Sequence, residues 1–460
     1  MTSGFKKKWA GNSGANILGG ASTALLSFVL PAILARWMSK MEFSLWSLAF
    51  QIVAYVSVFG YGLNSAVSKY VSEKKDADEI GRILKAAARI MSFASGLGIV
   101  FICLAALLSG YVFSEIPSDM QWGFRMAVCM LGLSALVQNA GLIPVGYFTG
   151  KYRNIDFVLP QMIGKAIILL AMCTALFVGA GMVALSAVYC AASVVPVYLL
   201  WRKMRGERQN GEAGGHHSQC VTEVKLLNKY CAGLLVWSLS MLLVNAVDTI
   251  LVGYVDVKEV GAYAIALTYV TVFVGVLNAV ISPVIPIASA MYADPHERVV
   301  LPRLLYRITW INAVAMNVVF LLTILFGKIL LKIWVGVTYV DAVYPYLIVL
   351  TCANCVRYLG LPYAAVLMGT ALHRLTFLSA VMEGIGNFLF SVIFAHYYGV
   401  IGIAYGTLLG AFMGILVHFF VSFRKTKDLT PCRGMAVLGG YIFPIVVFVP
   451  VYVWLYVRSH

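Results

Sequence analysis

Four charged side chains lie inside long apolar stretches of the sequence: Lys165, Asp248, Arg357 and Glu383. A charge at the centre of a bilayer costs about 2.5–3.5 kcal/mol, so these side chains must face protein or water rather than lipid. Lysine and arginine bind phosphate groups well, and a carboxylate can carry a proton or bind a cation. We therefore predict that Lys165 and Arg357 contact an anionic substrate. The alternative is a structural ion pair between helices.

Both carboxylates have polar neighbours at helical spacing. Asn245 precedes Asp248 by three positions and Asn387 follows Glu383 by four, so each pair shares one helix face. Thr407 lies in the apolar stretch that follows. We predict that these five residues form an ion-coupling site for Na⁺ or a proton. The alternative is a hydrogen-bonded polar patch that holds helices together.

The composition identifies the elements that must position these residues. Hydrophobic residues make up 61% of the 460 and charged residues only 12%, whereas a soluble protein carries about 25% charged residues. We therefore predict a polytopic, all-α membrane protein, since apolar stretches of about 20 residues can cross a bilayer as helices. Thirteen such stretches occur, at 15–35, 43–70, 86–112, 122–147, 156–178, 180–201, 228–253, 260–290, 305–333, 342–368, 375–397, 399–423 and 435–457. In the second stretch Gly60 and Gly62, and in the eighth Pro283 and Pro286, can bend or break the helix.

The net charge of +15 is explained by topology rather than by nucleic-acid binding. On alternate sides of the predicted spans there are 25 and 7 basic residues, and this bias predicts a cytoplasmic N-terminus. Three further cations, Arg36, Lys69 and Arg89, lie near span ends. They are candidate substrate contacts at the rim of a cavity, or alternatively anchors whose charges extend to the membrane surface.

The first twelve predicted spans divide into two halves that resemble each other weakly. Glu42 corresponds to Glu259 at an offset of 217, and Gly164 corresponds to Gly384 at an offset of 220. Two parallel repeats of six helices around a central cavity are a transporter design. The predicted domains are an N-terminal six-helix bundle (1–201), a cytoplasmic linker (202–227), a C-terminal six-helix bundle (228–423), and a basic loop with one additional transmembrane helix (424–460).

Three segments carry a family resemblance: ANILGGASTALLSFVLPAILARWMSKMEFSLWSLAFQIVAYVSVFGYGLNSAVSKYVSE near the N-terminus, DTILVGYVDVKEVGAYAIA from residue 248, and YGVIGIAYGTLLGAFMGILVHFF from residue 398. In order and spacing they resemble the polysaccharide exporters of the multidrug/oligosaccharidyl-lipid/polysaccharide (MOP) flippase superfamily, and most of all the Wzx-type O-antigen flippases. That family usually has twelve or fourteen spans, so a lone thirteenth departs from its pattern.

The resemblance implies that the protein moves polyprenyl-pyrophosphate-linked oligosaccharide from the cytoplasmic to the periplasmic leaflet of the bacterial inner membrane. It implies alternating access driven by an ion gradient, with an ion site on helices seven, eleven and twelve. The expected partners are the lipid-linked glycan, membrane lipids, and the polysaccharide polymerase and chain-length machinery. No cofactor is expected besides a coupling Na⁺ or H⁺, and no nucleic acid.

Two other functions compete with this interpretation. One is a multidrug efflux antiporter of the same superfamily, which would favour an acidic cavity over one lined by Lys165 and Arg357. The other is a membrane enzyme, either a glycosyltransferase or a polysaccharide polymerase. Such enzymes usually carry a sizeable outer loop with catalytic Asp, Glu, Arg or His, whereas the predicted outer loops here are short and hold few such residues. The sequence also has no GxxxxGK phosphate loop, which disfavours ATP-driven transport by this chain alone. We therefore predict a transporter rather than an enzyme.

Overall fold

The computed structural model describes residues 3–60, 62–74, 76–210, 221–370, 372 and 374–426, and every regular element in these ranges is a helix. The first half contains α1 (Ser3–Trp37), α2 (Lys40–Ala54), α3 (Leu63–Glu73), α4 (Ala77–Val112), α5 (Ser118–Ala140), α6 (Leu142–Gly150), α7 (Ile155–Phe177), α8 (Met182–Asn210) and α9 (Val221–Asn245). The second half contains α10 (Val247–Val255), α11 (Val260–Ile281), α12 (Val284–Ala293), α13 (Pro295–Arg298), α14 (Leu301–Trp334), α15 (Val340–Tyr358), α16 (Leu361–Gly369), α17 (Arg374–Tyr398) and α18 (Val400–Lys425).

Eleven helical segments in the described ranges are long and apolar enough to cross a membrane. They correspond to eleven of the thirteen predicted spans, so the prediction of an all-α, multi-pass membrane protein is confirmed. The predicted span at 228–253 is divided into α9 and α10 by a turn at Ala246. The predicted span at 435–457 lies outside the described residues.

The chain divides into two compact helical units. Unit 1 comprises Met1–Leu239 with Asp256–Gly261, and unit 2 comprises Ser240–Val255 with Ala262–His460. Each unit has its own buried apolar cluster, on α3, α4, α6 and α9 in unit 1 and on α11, α12, α14, α16 and α18 in unit 2. The division falls within α9, later than the predicted start of the C-terminal bundle at residue 228. The predicted bundle boundaries therefore stay a prediction.

The two units contain matching interrupted helices. In each unit a long helix stops at a glycine turn and a helix of nine residues follows, beginning at Leu142 in α6 and at Leu361 in α16. The separation of these two leucines lies between the offsets of 217 and 220 found in the sequence. Each short helix also ends at a glycine, Gly150 or Gly369, where an added Cβ would overlap a main-chain oxygen of α3 or α12. The same close contact between helices therefore recurs in both units.

Glu42 and Glu259, which correspond in the sequence repeat, both lie near the start of a helix. Ser39 and Glu42 form a capping box at the start of α2, with N–O distances of 3.1 and 3.2 Å. Glu259 lies in a short 3₁₀ turn before α11, and Asp256 caps that turn by accepting from the Lys258 amide at 2.9 Å. Such caps satisfy amide groups that have no partner at a helix start. The Glu42–Glu259 correspondence thus marks equivalent helix starts.

Candidate functional site

A line of glycines on α18 brings this helix unusually close to α17. Spaced four residues apart, these glycines lie on one face of α18, and their missing side chains let two backbones approach closely. A Cβ added at any of these glycines would overlap the main chain of α17 or lie only 2.7 Å from the nearest atom of α17. The four are Gly402, Gly406, Gly410 and Gly414, which face Phe394, Ser391, Asn387 and Glu383. This seam places the polar face of α17 directly against α18.

Asp248 lies at the centre of a buried polar cluster beside this seam. Its carboxylate accepts hydrogen bonds from the Thr407 hydroxyl at 2.7 Å, the Asn387 amide nitrogen at 3.0 Å and the Tyr263 hydroxyl at 3.3 Å. Only 1% of Asp248 is exposed, and its three partners are also buried. The structure therefore brings together three of the predicted ion-coupling residues, Asp248, Asn387 and Thr407, and adds Tyr263.

The break between α9 and α10 explains the position of this carboxylate. Because the helix restarts at Val247, Asp248 lies in the first turn of α10, where the helix dipole favours a negative charge. The break also leaves carbonyl groups at the end of α9 without helical partners. Asn387 donates to two of them, the oxygens of Leu243 at 3.2 Å and Val244 at 3.3 Å. The side chain of Asn245, the fourth predicted ligand of this region, lies outside the described residues.

Further oxygen atoms surround the cluster on the α18 side. The Ser391 hydroxyl can donate either to the Asn387 side-chain oxygen at 3.2 Å or to the Ile403 carbonyl at 3.1 Å. Thr407 lies 3.1 Å from the same carbonyl. Carboxylate, amide, hydroxyl and main-chain oxygens are the ligands that hard cations prefer. Ser391 follows Asn387 by four positions, so the sequence already placed it on the predicted face, whereas Tyr263 could be found only from the fold.

Glu383 lies one helical turn from Asn387 but has a different partner. Its carboxylate forms an ion pair with the Arg357 guanidinium, and both side chains are about 11% exposed. Arg357 also donates to the Asn354 side-chain oxygen at 2.9 Å, while its Nη2 is buried with no hydrogen-bond partner among the described residues. The charge of Glu383 is thus balanced within unit 2.

Lys165 forms a separate polar contact in unit 1. Its ammonium nitrogen, on α7, lies 2.5 Å from the Thr23 hydroxyl, 3.3 Å from the Ser22 hydroxyl and 3.4 Å from the Gly19 carbonyl, all on α1. The side chain is half-buried, and no carboxylate of the described chain lies within ion-pair distance. Its positive charge is therefore held by neutral oxygens alone.

The three cations predicted near span ends are all exposed. Arg36 lies in the last turn of α1, and Arg89 lies on α4. The Lys69 ammonium lies over the rings of Tyr70 and Tyr230, at 5.1 and 5.0 Å from their centres. This stacking joins α3 to α9 in unit 1.

Sequence reasoning missed a charge network at the ends of α6, α7 and α8. Asp156 accepts from Lys203 at 2.7 Å and from Arg153 at 2.5 Å, and Arg153 also contacts Glu207 at 2.6 Å. Partial burial opposes the charge of Arg153, but Glu207 and Asp156 raise the pKa of its guanidinium above the ordinary value. The sequence gives no local signal for this network, because Glu207 and Lys203 are distant in sequence from Arg153 and Asp156.

We expect Asp156→Ala to destabilise the protein by about 1–3 kcal/mol, because it leaves the half-buried charge of Lys203 unpaired. Thermal unfolding of the purified protein in detergent would measure the change. Glu79→Ala is the matched control, since it removes the partner of Lys74 in an exposed pair and should cost less than about 1 kcal/mol. Equal losses in the two variants would contradict a structural role for the network.

Long apolar helices with buried polar clusters between them define a polytopic membrane protein. The family comparison makes the class specific: the chain belongs to the polysaccharide biosynthesis protein family, whose family model matches residues 10–292. No curated protein sequence matches the chain.

Solved structures with the same fold are similar over nearly the whole chain. The lipid II flippase MurJ, in an inward closed conformation, has a TM-score of 0.71 at 15% identity and covers 95% of this chain and 92% of its own. An inward-facing multidrug resistance MATE family transporter of the MOP superfamily has a TM-score of 0.70 at 13% identity, covering 88% and 95%. The MATE multidrug transporter DinF-BH has a TM-score of 0.64 at 13% identity, covering 92% and 96%. The family model confirms the predicted resemblance to polysaccharide exporters. At identities this low, the solved structures show that the chain shares their fold.

Proposed function

We propose that this protein flips polyprenyl-pyrophosphate-linked oligosaccharide from the cytoplasmic to the periplasmic leaflet of a bacterial inner membrane. It does so by alternating access, with its N-terminus in the cytoplasm, and inward movement of a cation drives the cycle. Membership of the polysaccharide biosynthesis family supports a glycan substrate. The similarity to a lipid II flippase supports a substrate carried on a lipid.

The observation that carries the proposal is the unpaired charge of Lys165. An ammonium group within a membrane span needs an anionic or polar partner, and the described chain offers it only hydroxyl and carbonyl oxygens. A pyrophosphate supplies the missing negative charge. Arg357 is a second candidate contact, because its Nη2 has no partner among the described residues. The lipid tail of such a substrate can remain in the bilayer while its polar head crosses.

The multidrug alternative is weaker because the described membrane carboxylates Asp248 and Glu383 are buried, so neither is exposed to a large cationic drug. A cationic drug needs an acidic group, yet Glu383 is paired with Arg357 and Asp248 accepts three hydrogen bonds in a fully buried cluster. The fold itself does not separate the two functions, since the flippase and the MATE transporter are similar to the chain to nearly the same degree.

The cation would bind at the Asp248 cluster. Three neutral groups donate to this carboxylate, and no described cation lies within ion-pair distance. A buried carboxylate without a counter-charge is unfavourable unless it takes up a proton or a metal ion. The oxygens of Asn387, Thr407 and Ser391 fit a hard cation such as Na⁺. The bound cation would supply one positive charge, and the membrane potential would contribute about 2.3 kcal/mol per 100 mV for its movement.

We expect Lys165→Ala to reduce flipping of lipid-linked oligosaccharide in proteoliposomes by about 10- to 100-fold, the loss typical for a hydrogen bond to a charged group. Lys165→Arg should keep part of the activity, because it retains the charge but alters the geometry. Lys85→Ala, which removes an exposed lysine on α4, is the control and should flip at the wild-type rate. Wild-type flipping by Lys165→Ala would contradict the role of this charge in substrate binding.

A further inference from the structure

Helix α14 has the dimensions of a complete membrane crossing with a basic group near each end. It runs from Leu301 to Trp334, and no charged residue occurs between Arg307 and Lys328. At 1.5 Å per residue this uncharged stretch is about 30 Å long, which is the thickness of the hydrocarbon core of a bilayer. Arg307 and Lys328 therefore lie at the two opposite membrane surfaces.

At the N-terminal end of α14, which we call the arginine end, Arg303 and Arg307 lie on the same face as the lipid-exposed apolar residues. Arg303 and Arg307 are exposed and lie one turn apart on the same face. Toward the membrane centre this face continues with apolar side chains that are about half exposed: Trp310, Ile311, Val314 and Val318. The buried residues of α14 lie on the opposite face, in contact with the rest of unit 2. The two guanidinium groups thus point towards lipid headgroups.

The two ends of α14 differ in how their charges are balanced. Lys328 lies 3.4 Å from the Asp341 carboxylate. No described carboxylate lies within ion-pair distance of Arg303 or Arg307. The acidic residues of the preceding segment, Asp294 and Glu297, are on or next to α13, and Asp294 caps that helix. The charges of Arg303 and Arg307 are therefore balanced by no described carboxylate, and both guanidinium groups can bind an anion from outside the described chain.

Aromatic side chains complete the features of a headgroup site. Tyr306 and Trp310 are 40% and 42% exposed beside the two arginines, and tyrosine and tryptophan favour the headgroup level of a membrane. Val299, just before α14, is 77% exposed. Arginine binds phosphate oxygens through two parallel N–H donors.

We propose that the Arg303–Arg307 end of α14 binds the phosphate of an anionic phospholipid, which attaches this face of unit 2 to one leaflet. The site is separate from Lys165 and from the Asp248 cluster and does not depend on the transported substrate. Under the predicted topology the leaflet is the cytoplasmic one.

Native mass spectrometry of the purified protein, titrated with phosphatidylglycerol or phosphatidylcholine in detergent, tests the proposal. We expect the double variant R303Q/R307Q to raise the Kd for the first phosphatidylglycerol by about 5-fold per arginine, since each basic side chain near an anionic surface contributes about 1 kcal/mol. Binding of phosphatidylcholine should change little. The control K328Q/K332Q, at the other end of the same helix, should leave the Kd for phosphatidylglycerol unchanged.

Three results would overturn the proposal. One is an unchanged Kd for phosphatidylglycerol in R303Q/R307Q, and another is an equal loss in K328Q/K332Q, which would indicate general surface electrostatics. The third is displacement of the lipid by millimolar inorganic phosphate, which would indicate a site for the free ion. If R303Q/R307Q does not fold, the variant R303K/R307K tests the proposal instead. It keeps both positive charges and should still bind phosphatidylglycerol more tightly than phosphatidylcholine. Loss of that preference in a variant with intact helicity would count against binding through charge.

Discussion

Asp248→Asn should reduce cation-driven transport by about 100-fold while the protein remains folded. Removing one partner of a buried, hydrogen-bonded charge pair costs about 2–5 kcal/mol, and the cation would lose its only charged ligand in the cluster. Asparagine has nearly the same shape as aspartate, and its oxygen can still accept from Thr407 or Tyr263. The expected defect is therefore in coupling rather than in folding.

The measurement is the rate of flipping in proteoliposomes with and without an imposed Na⁺ or proton gradient. The wild-type protein should respond to one of the gradients, and Asp248→Asn should respond to neither. Asp341→Asn is the matched control, because it neutralises a carboxylate that is 91% exposed at the start of α15. A full gradient response in Asp248→Asn would place the coupling site elsewhere.

Gly406→Ala should cause the largest loss of stability of any single methyl addition that we consider. The new Cβ would overlap the main chain of Ser391 on α17, and neither backbone can move without separating α17 from α18. Overpacking of this kind typically costs about 1–3 kcal/mol and occasionally more. Separation of the two helices would also move Thr407 away from Asp248, so transport should decline together with stability.

Thermal unfolding monitored by size-exclusion chromatography would measure this loss. Gly275→Ala is the control, because an added Cβ on α11 meets no atom within 4 Å and alanine is the better helix former. We expect a clear decrease in the melting temperature for Gly406→Ala and none for Gly275→Ala. Equal melting temperatures in the two variants would mean that the seam is not tightly packed.

The local part of the candidate site could be predicted from the sequence because helical spacing determines which residues share a face. This reasoning placed Asn387 with Glu383 on α17. The choice of partners across helices could not be predicted in the same way. Glu383 pairs with Arg357, while Asn387 faces Asp248, although both lie one turn apart on the same helix. Only the packing of α10, α15, α17 and α18 separates these two contacts.

The sequence predicts helix breaks that occur at glycine or proline, but not the break at Ala246. Gly62 and Pro283 were recognised as potential breaks, and the structure has a left-handed glycine before α3 and a proline turn before α12. The break at Ala246 contains neither glycine nor proline, so the sequence predicted one continuous span. That break is stabilised from outside, by the hydrogen bonds of Asn387 to the end of α9. A contact supplied by a distant helix leaves no local signal.

The central claim is that this protein moves a lipid-linked glycan across a membrane in response to a cation gradient. The most direct test is reconstitution of the wild-type protein with a polyprenyl-pyrophosphate-linked oligosaccharide, whose transfer between leaflets is followed by its accessibility to an added glycosidase. We expect transfer that depends on the protein and accelerates under an inward Na⁺ or proton gradient, with no transport of a cationic dye. Liposomes in which the glycan stays in its original leaflet while the gradient drives the dye would contradict the proposal and favour a multidrug transporter.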